Sequence, residues 1–198
     1  MHANTDEYQR ITIGYKEDAK RLGTGAATEQ WCKTLFDAWM YSLDSETDKT
    51  SDETKRRLTA LMRGNLNVRD AMIASIIDST ISTADMIGFA AYPKDKENKA
   101  RMSALLAMSF GNAADGKTPW LNGRFGTALD MLSDMAAAPE QFGAQPLAII
   151  AYVSWLAGAS NAASIALQAL TCDEDCTLAA IVLSGIQAKR IPVRRKEA

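Results

Sequence analysis

PLAIIAYVSWLAGASNAASIALQALTCDEDCTLAAIVLSGIQAKRIP, residues Pro146 to Pro192, is the stretch on which the fold turns. From Gln145 onward it predicts three helices. The first holds Pro146 in its opening turn, where a missing N–H costs nothing, carries Trp155 and closes at a turn with Gly158. The second is read as capped by Ser160 and ends at Ala169-Leu170; an acidic turn follows, and the third starts around Thr171 to Asp175. Alanines at helix crossings let backbones approach closely while larger side chains fill the grooves. Leu147 to Gly158 is interrupted by Tyr152 and Ser154 and falls short of the roughly 20 apolar residues a spanning helix needs. It therefore predicts a buried helix, and no membrane partner.

Around this stretch lies a desert of charge. Phe125 to Ala188 contains no lysine or arginine, and its acids are Asp130, Asp134, Glu140, Asp173, Glu174 and Asp175. A base cluster follows at once: Lys189, Arg190, Arg194, Arg195 and Lys196. Helices so poor in charge are weakly solvated, so they serve as core or as a face for a partner or a second copy. The expectation is core plus some interface. The basic end could hold nucleic acid only weakly and without sequence preference, having no interleaved aromatics.

Upstream the helical signal continues. Trp31, Leu35, Trp39 and Leu43 recur every four residues within Thr28 to Leu43. Thr50 and Glu53 read as a capping box opening a helix that buries Leu58, Leu61 and Met62. Asn67 reads as the cap of the next, with Val68, Met72, Ile73, Ile76 and Ile77 inward. A loop is expected at Ala91 to Asp95, because the residue before Pro93 avoids the helical region. Leu105, Leu106 and Phe110 mark another helix; a turn-rich loop around Trp120 separates it from one carrying Phe125, Leu129, Leu132 and Met135. The alternation Ile11, Ile13, Tyr15 is the sole strand candidate, and one strand cannot pair with itself; a helix-like Tyr15 to Leu22 follows it and ends at Gly23.

The fold class expected is all-α: a single-domain multi-helix bundle ending in a tetratricopeptide-like helical hairpin. Residues 1–25 are read as a partly ordered N-terminal arm, 26–190 as the helical domain and 191–198 as a basic tail. A chain of 198 residues with 47% apolar and 23% charged residues can build such a core, since folding at this size removes roughly 70% of the unfolded surface from water. The first residues lack the apolar run of a secretory leader, and three cysteines form no even disulfide framework. Both predict a cytoplasmic protein.

Two resemblances bear on these residues. Leu147 to Pro192 resembles the C-terminal part of an actinobacterial family known as domain-of-unknown-function 4192. LTALMRGNLNVRDAMIASI, Leu58 to Ile76, is similar to that family's internal segment with its Val-Arg-Asp signature, here Val68-Arg69-Asp70. The family has no assigned activity, so the resemblance implies none, and this chain lacks the strand-rich N-terminal half typical of the family. The same C-terminal stretch is similar to one tetratricopeptide unit, with Ala162 at the small position of its second helix; Trp155 and Gly158 depart from the repeat's spacing and no second copy is visible.

No catalytic, cofactor or metal site is expected. Cys172 and Cys176 would share one side of a helix, but zinc needs two more ligands and the only histidine is His2. A serine or cysteine nucleophile lacks a positioned base for the same reason. Asp130 and Asp134 share a helical face and read as solvated. Arg69 and Asp70 open an apolar helix, where Asp70 complements the helix dipole. With Trp120 and Trp155 they are the residues expected to meet a partner. The functional expectation is a non-enzymatic helical interaction module that binds a protein or itself. An enzyme with a carboxylate-lined or cofactor-binding pocket between helices, or weak nucleic-acid binding through the basic tail, are the alternatives.

Overall fold

A computed structural model describes residues 5–118 and 121–191. Its described residues form ten α-helices and one 3-10 turn, with no strand among them. The helices are α1 (Thr5–Leu22), α2 (Thr24–Asp44), α3 (Asp52–Gly64), α4 (Leu66–Ile77), α5 (Thr83–Ala91), α6 (Lys96–Ala114), α7 (Gly123–Ala136), α8 (Ala144–Leu156), α9 (Ala162–Cys172) and α10 (Thr177–Gln187). The 3-10 turn, Glu140–Gly143, links α7 to α8. The all-α expectation holds. No helix among the described residues is long and apolar enough to cross a membrane.

Two helices without a polar face sit at the centre, because a helix apolar all round has no side to offer water. In α8 all residues but Leu147 and Tyr152 are buried, and in α4 all but Leu66, Asn67 and Asp70. The amphipathic helices pack round them: α1 against α2 and α3, α2 and α4 against α5, α7 against α8. On the far side α8, α9 and α10 pack pairwise as a triangle. One continuous core runs through Trp39, Leu58, Met62, Met72, Met86, Met131 and Ile149. Trp39 Nε1 donates to Ser75 Oγ at 3.0 Å, satisfying its polar atom inside that core. Methionine is used mainly as core filling here, with Met108 on α6 an exposed exception.

Within the N-terminal segment the helix-like Tyr15 to Leu22 is the second part of a longer helix, Thr5–Leu22. The alternating isoleucines of this 18-residue helix are a coincidence of period: Ile13 is exposed and Ile11 half-buried. The stripe that packs is Tyr8, Tyr15 and Ala19, spaced as a helix requires. Gly23, with φ of 86°, makes the bend into α2 that a side chain would resist.

Several caps fall one or two residues from their expected places. Ser51, not Thr50, caps α3; Thr50 is buried and shares a hydrogen bond with Ser42 Oγ at 2.9 Å. Asn65, not Asn67, caps α4, accepting from Asn67 N at 3.1 Å. Ser82 and Asp85 form the capping box of α5, which the sequence reading passed over. Asn161 rather than Ser160 stands at the N-cap of α9, and α10 starts later than expected, at Thr177. Cap residues are abundant in these linkers, and tertiary packing decides which of them the helix starts from.

Candidate functional site

Helices α9 and α10 contain no charged residue between Ala162 and Cys172 or between Thr177 and Gln187. Their inner sides pack Ala162, Ala166 and Ala169, then Leu178, Ala179 and Val182, into the core. The outer sides carry Ser164, Leu167, Gln168 and Thr171 on α9 and Ala180, Ile181, Ser184 and Gln187 on α10, all exposed. Leu167 and Ile181 each retain 56% of their surface. Because the helices run antiparallel from the turn at 173–176, these two side chains stand at matching heights, roughly 6–8 Å along the axis from it.

The ends of this neutral strip are oppositely charged. Glu174 and Asp175 are exposed at the turn, while Asp173 is drawn inward by Arg63 at 2.8 Å. Lys189 and Arg190 are exposed beyond the far end of α10. Two exposed aromatic side chains elsewhere have charged partners: Tyr41 lies under Lys49, 4.8 Å from its ring, and Tyr92 donates to Glu29 at 3.0 Å.

The Arg69-Asp70 pair lies elsewhere, at the start of α4 against the start of α8. Arg69 is 8% exposed; its Nη1 donates to Gln145 Oε1 at 3.1 Å, and Nε and Nη2 donate to Asp70 Oδ1 at 2.9 and 2.7 Å. Asp70 therefore neutralises Arg69, while the cap belongs to Asn65. Gln145 in turn faces Cys176, its Nε2 lying 3.7 Å from Sγ. Desolvation pushes the Cys176 thiol above its ordinary pKa, which disfavours the thiolate a nucleophile requires. Cys172 ends α9 and Cys176 precedes α10, so the two cysteines flank the acidic turn and do not share a helix.

Trp155 stands at the other end of α8, ten positions from Gln145 and so roughly 15 Å away. It is buried at 6% exposure, packs edge-on against Phe110 at 5.7 Å, and lines a cavity of about 430 Å³ with Gly158, Ser160, Ala163, Ile186, Lys189 and Ile191. The structure thus does not bring Arg69 and Trp155 together. Trp120 and the tail beyond Ile191 lie outside the described residues.

Ionisable groups gather in a cleft of about 270 Å³ lined by Lys16, Arg63, Gln145, Asp173 and Asp175. Asp173 is already committed to Arg63, so the carboxylates are not poised as a free pair. Asp134 is likewise bound, to Lys55 at 2.6 Å, and does not join Asp130. Among the described residues no three histidine, cysteine or acidic side chains are placed to hold a metal. A wider cleft of about 600 Å³, between Thr24, Asn67, Tyr92, Lys94 and Asn98, is open and mostly apolar.

The neutral α9–α10 face escaped sequence reasoning as a set of residues, although the charge desert pointed at its region. A run of uncharged residues does not say which of them face inward. No protein-family model, no curated protein and no solved structure matches this chain.

Proposed function

We propose that this chain is a helical interaction module that docks through the outer face of α9 and α10. The observation that supports it is the pair of charge-free helices with Leu167 and Ile181 each 56% exposed at matching heights. Interface centres are depleted in charge, whereas ordinary surface is rich in it, so two adjacent helices with no charged residue depart from surface composition toward interface composition. The small neighbours Ser164, Ala180 and Ser184 let another helix approach closely. The likeness to a tetratricopeptide unit and membership of the domain-of-unknown-function 4192 family belong to the same proposal and assign no activity.

The test pairs the wild-type chain with a Leu167→Lys/Ile181→Lys variant of matched helix content and melting temperature. Association of any kind, with itself or with a captured protein, is expected to require the wild-type face. Equal association by both proteins, or none by either, overturns the reading.

A further inference from the structure

We infer that the partner of this face is a second copy of the same chain, joined antiparallel across a two-fold axis perpendicular to α10. The inference rests on the docking reading above and adds to it the identity of the occupant. Its ground is charge complementarity. Along α10 the strip runs from the acidic turn, with Glu174 and Asp175 exposed, through the eleven uncharged residues of the helix and one uncharged residue at each of its ends to exposed Lys189 and Arg190. A strip that is acidic at one end, neutral in the middle and basic at the other is its own complement once reversed. A two-fold axis performs that reversal, because an isologous interface sets residue i against j and j against i.

In that arrangement Ile181, six positions in from Asp175 and eight from Lys189, lies near the middle of the strip. The apolar contacts fall on the axis and the two charged pairs fall at its rim. Rim charges of this kind orient the encounter and suppress the parallel alternative more than they add affinity. A parallel pairing would set Glu174 and Asp175 against their own copies, and Lys189 and Arg190 likewise.

Size sets the expected strength. Two eleven-residue helices side by side offer a patch roughly 17 Å long and about 20 Å wide. With the charged ends included, two facing copies cover on the order of 1,000 Å² of surface, the lower edge for a specific interface. A reversible, concentration-dependent dimer follows, not a permanent one.

The experiment is sedimentation equilibrium of the full chain over a hundredfold range of concentration. The average mass is expected to rise from that of one chain toward that of two, and Ile181→Glu is expected to hold it at one. Two charge-swapped proteins supply the decisive arm: Glu174→Lys/Asp175→Lys, basic at both ends, and Lys189→Glu/Arg190→Glu, acidic at both. Each alone is expected to weaken self-association at least tenfold, and an equimolar mixture is expected to restore it as a heterodimer. All four positions are exposed, with Asp175 also bordering the cleft of Lys16 and Arg63 and Lys189 the cavity beside Trp155, so each variant is compared with the wild type only at an unchanged circular-dichroism melt. A wild-type chain that stays monomeric throughout, or a mixture no better than its components, overturns the second-copy inference. If a wild-type monomer still captures another protein through Leu167 and Ile181, the docking reading stands without it. If the face supports no association, both fall.

Discussion

The indole of Trp155 on α8 occupies the space that a side chain at Gly185 on α10 would need, its Cζ2 and Cη2 standing where a Cβ would be. Glycine inside a helix costs about 0.5–1 kcal/mol relative to alanine. Here that cost leaves room for the Trp155 indole to lie directly against the α10 backbone at Gly185.

Gly185→Ala should therefore destabilise the fold, although alanine is the better helix former. Overpacking of a tight contact costs about 1–3 kcal/mol, which exceeds the propensity gain. The expected result is a melting temperature lower by a few degrees, given roughly 2–4 °C per kcal/mol at this size. In a Trp155→Phe background the smaller ring makes room, and the same substitution should become neutral or stabilising. A thermal-denaturation cycle over the four proteins reads this coupling; additive effects would refute the contact.

Burial carries the Cys32 thiol from 9.0 up to about 12, with Arg57 opposing weakly. A group whose folded pKa is raised gives stability that is whole below its unfolded value and is lost as pH rises through the folded one. Stability should thus decline between pH 9 and about 12. Burial also raises Tyr8 and Tyr152, so the wild-type decline has several sources. The difference between wild type and Cys32→Ala isolates the thiol: urea midpoints of the variant should fall less steeply above pH 9. Parallel curves would count against a buried thiol at this position.

Asn65 joins two tasks. Its Oδ1 caps α4, while Nδ2 donates to Tyr15 Oη and Thr28 Oγ1 at 3.1 Å each, tying α1 and α2 to the start of α4. Asn65→Ala should cost about 2–3 kcal/mol, the sum of a lost cap and unsatisfied interior hydroxyls. Asn65→Ser should recover about 1 kcal/mol, since serine restores the cap but cannot reach the interior hydroxyls. Urea denaturation of the three proteins checks the order.

Arg69→Met should cost about 1–3 kcal/mol, because Gln145 Oε1 loses its buried donor while the half-exposed Asp70 is solvated again. Arg69→Lys should fall between, since one ammonium cannot serve Gln145 and Asp70 together. At temperatures below melting neither change should alter association through the α9–α10 face. A changed dissociation constant with unchanged stability would return Arg69 to the binding surface.

Much of the fold was legible because helix periodicity is a local signal. Trp31, Leu35, Trp39 and Leu43 announced α2, and Val68, Met72 and Ile76 announced α4. The N-terminal helix was legible only in its second part, Tyr15 to Leu22, because Ile11 and Ile13 mimic a strand and the residue that anchors α1, Tyr15, does so through Thr28 and Asn65, far along the chain. The caps missed by a residue or two were set by packing, as buried Thr50 illustrates.

The candidate site was legible in region and not in residues. Trp155 stood out in the sequence because it is large, and burial followed from that same size. Leu167 and Ile181 stood out for nothing, being two aliphatic residues among many.

By itself the sequence determined that the chain is helical and that its C-terminal third carries almost no charge, because periodicity and composition are properties of neighbours along a chain. Only the tertiary structure decided which apolar residues face water, since that depends on where α8 lies beneath α9 and α10. The acidic turn and the basic residues beyond it stand at opposite ends of α10 because that one helix lies between them, which the order of the sequence already implies.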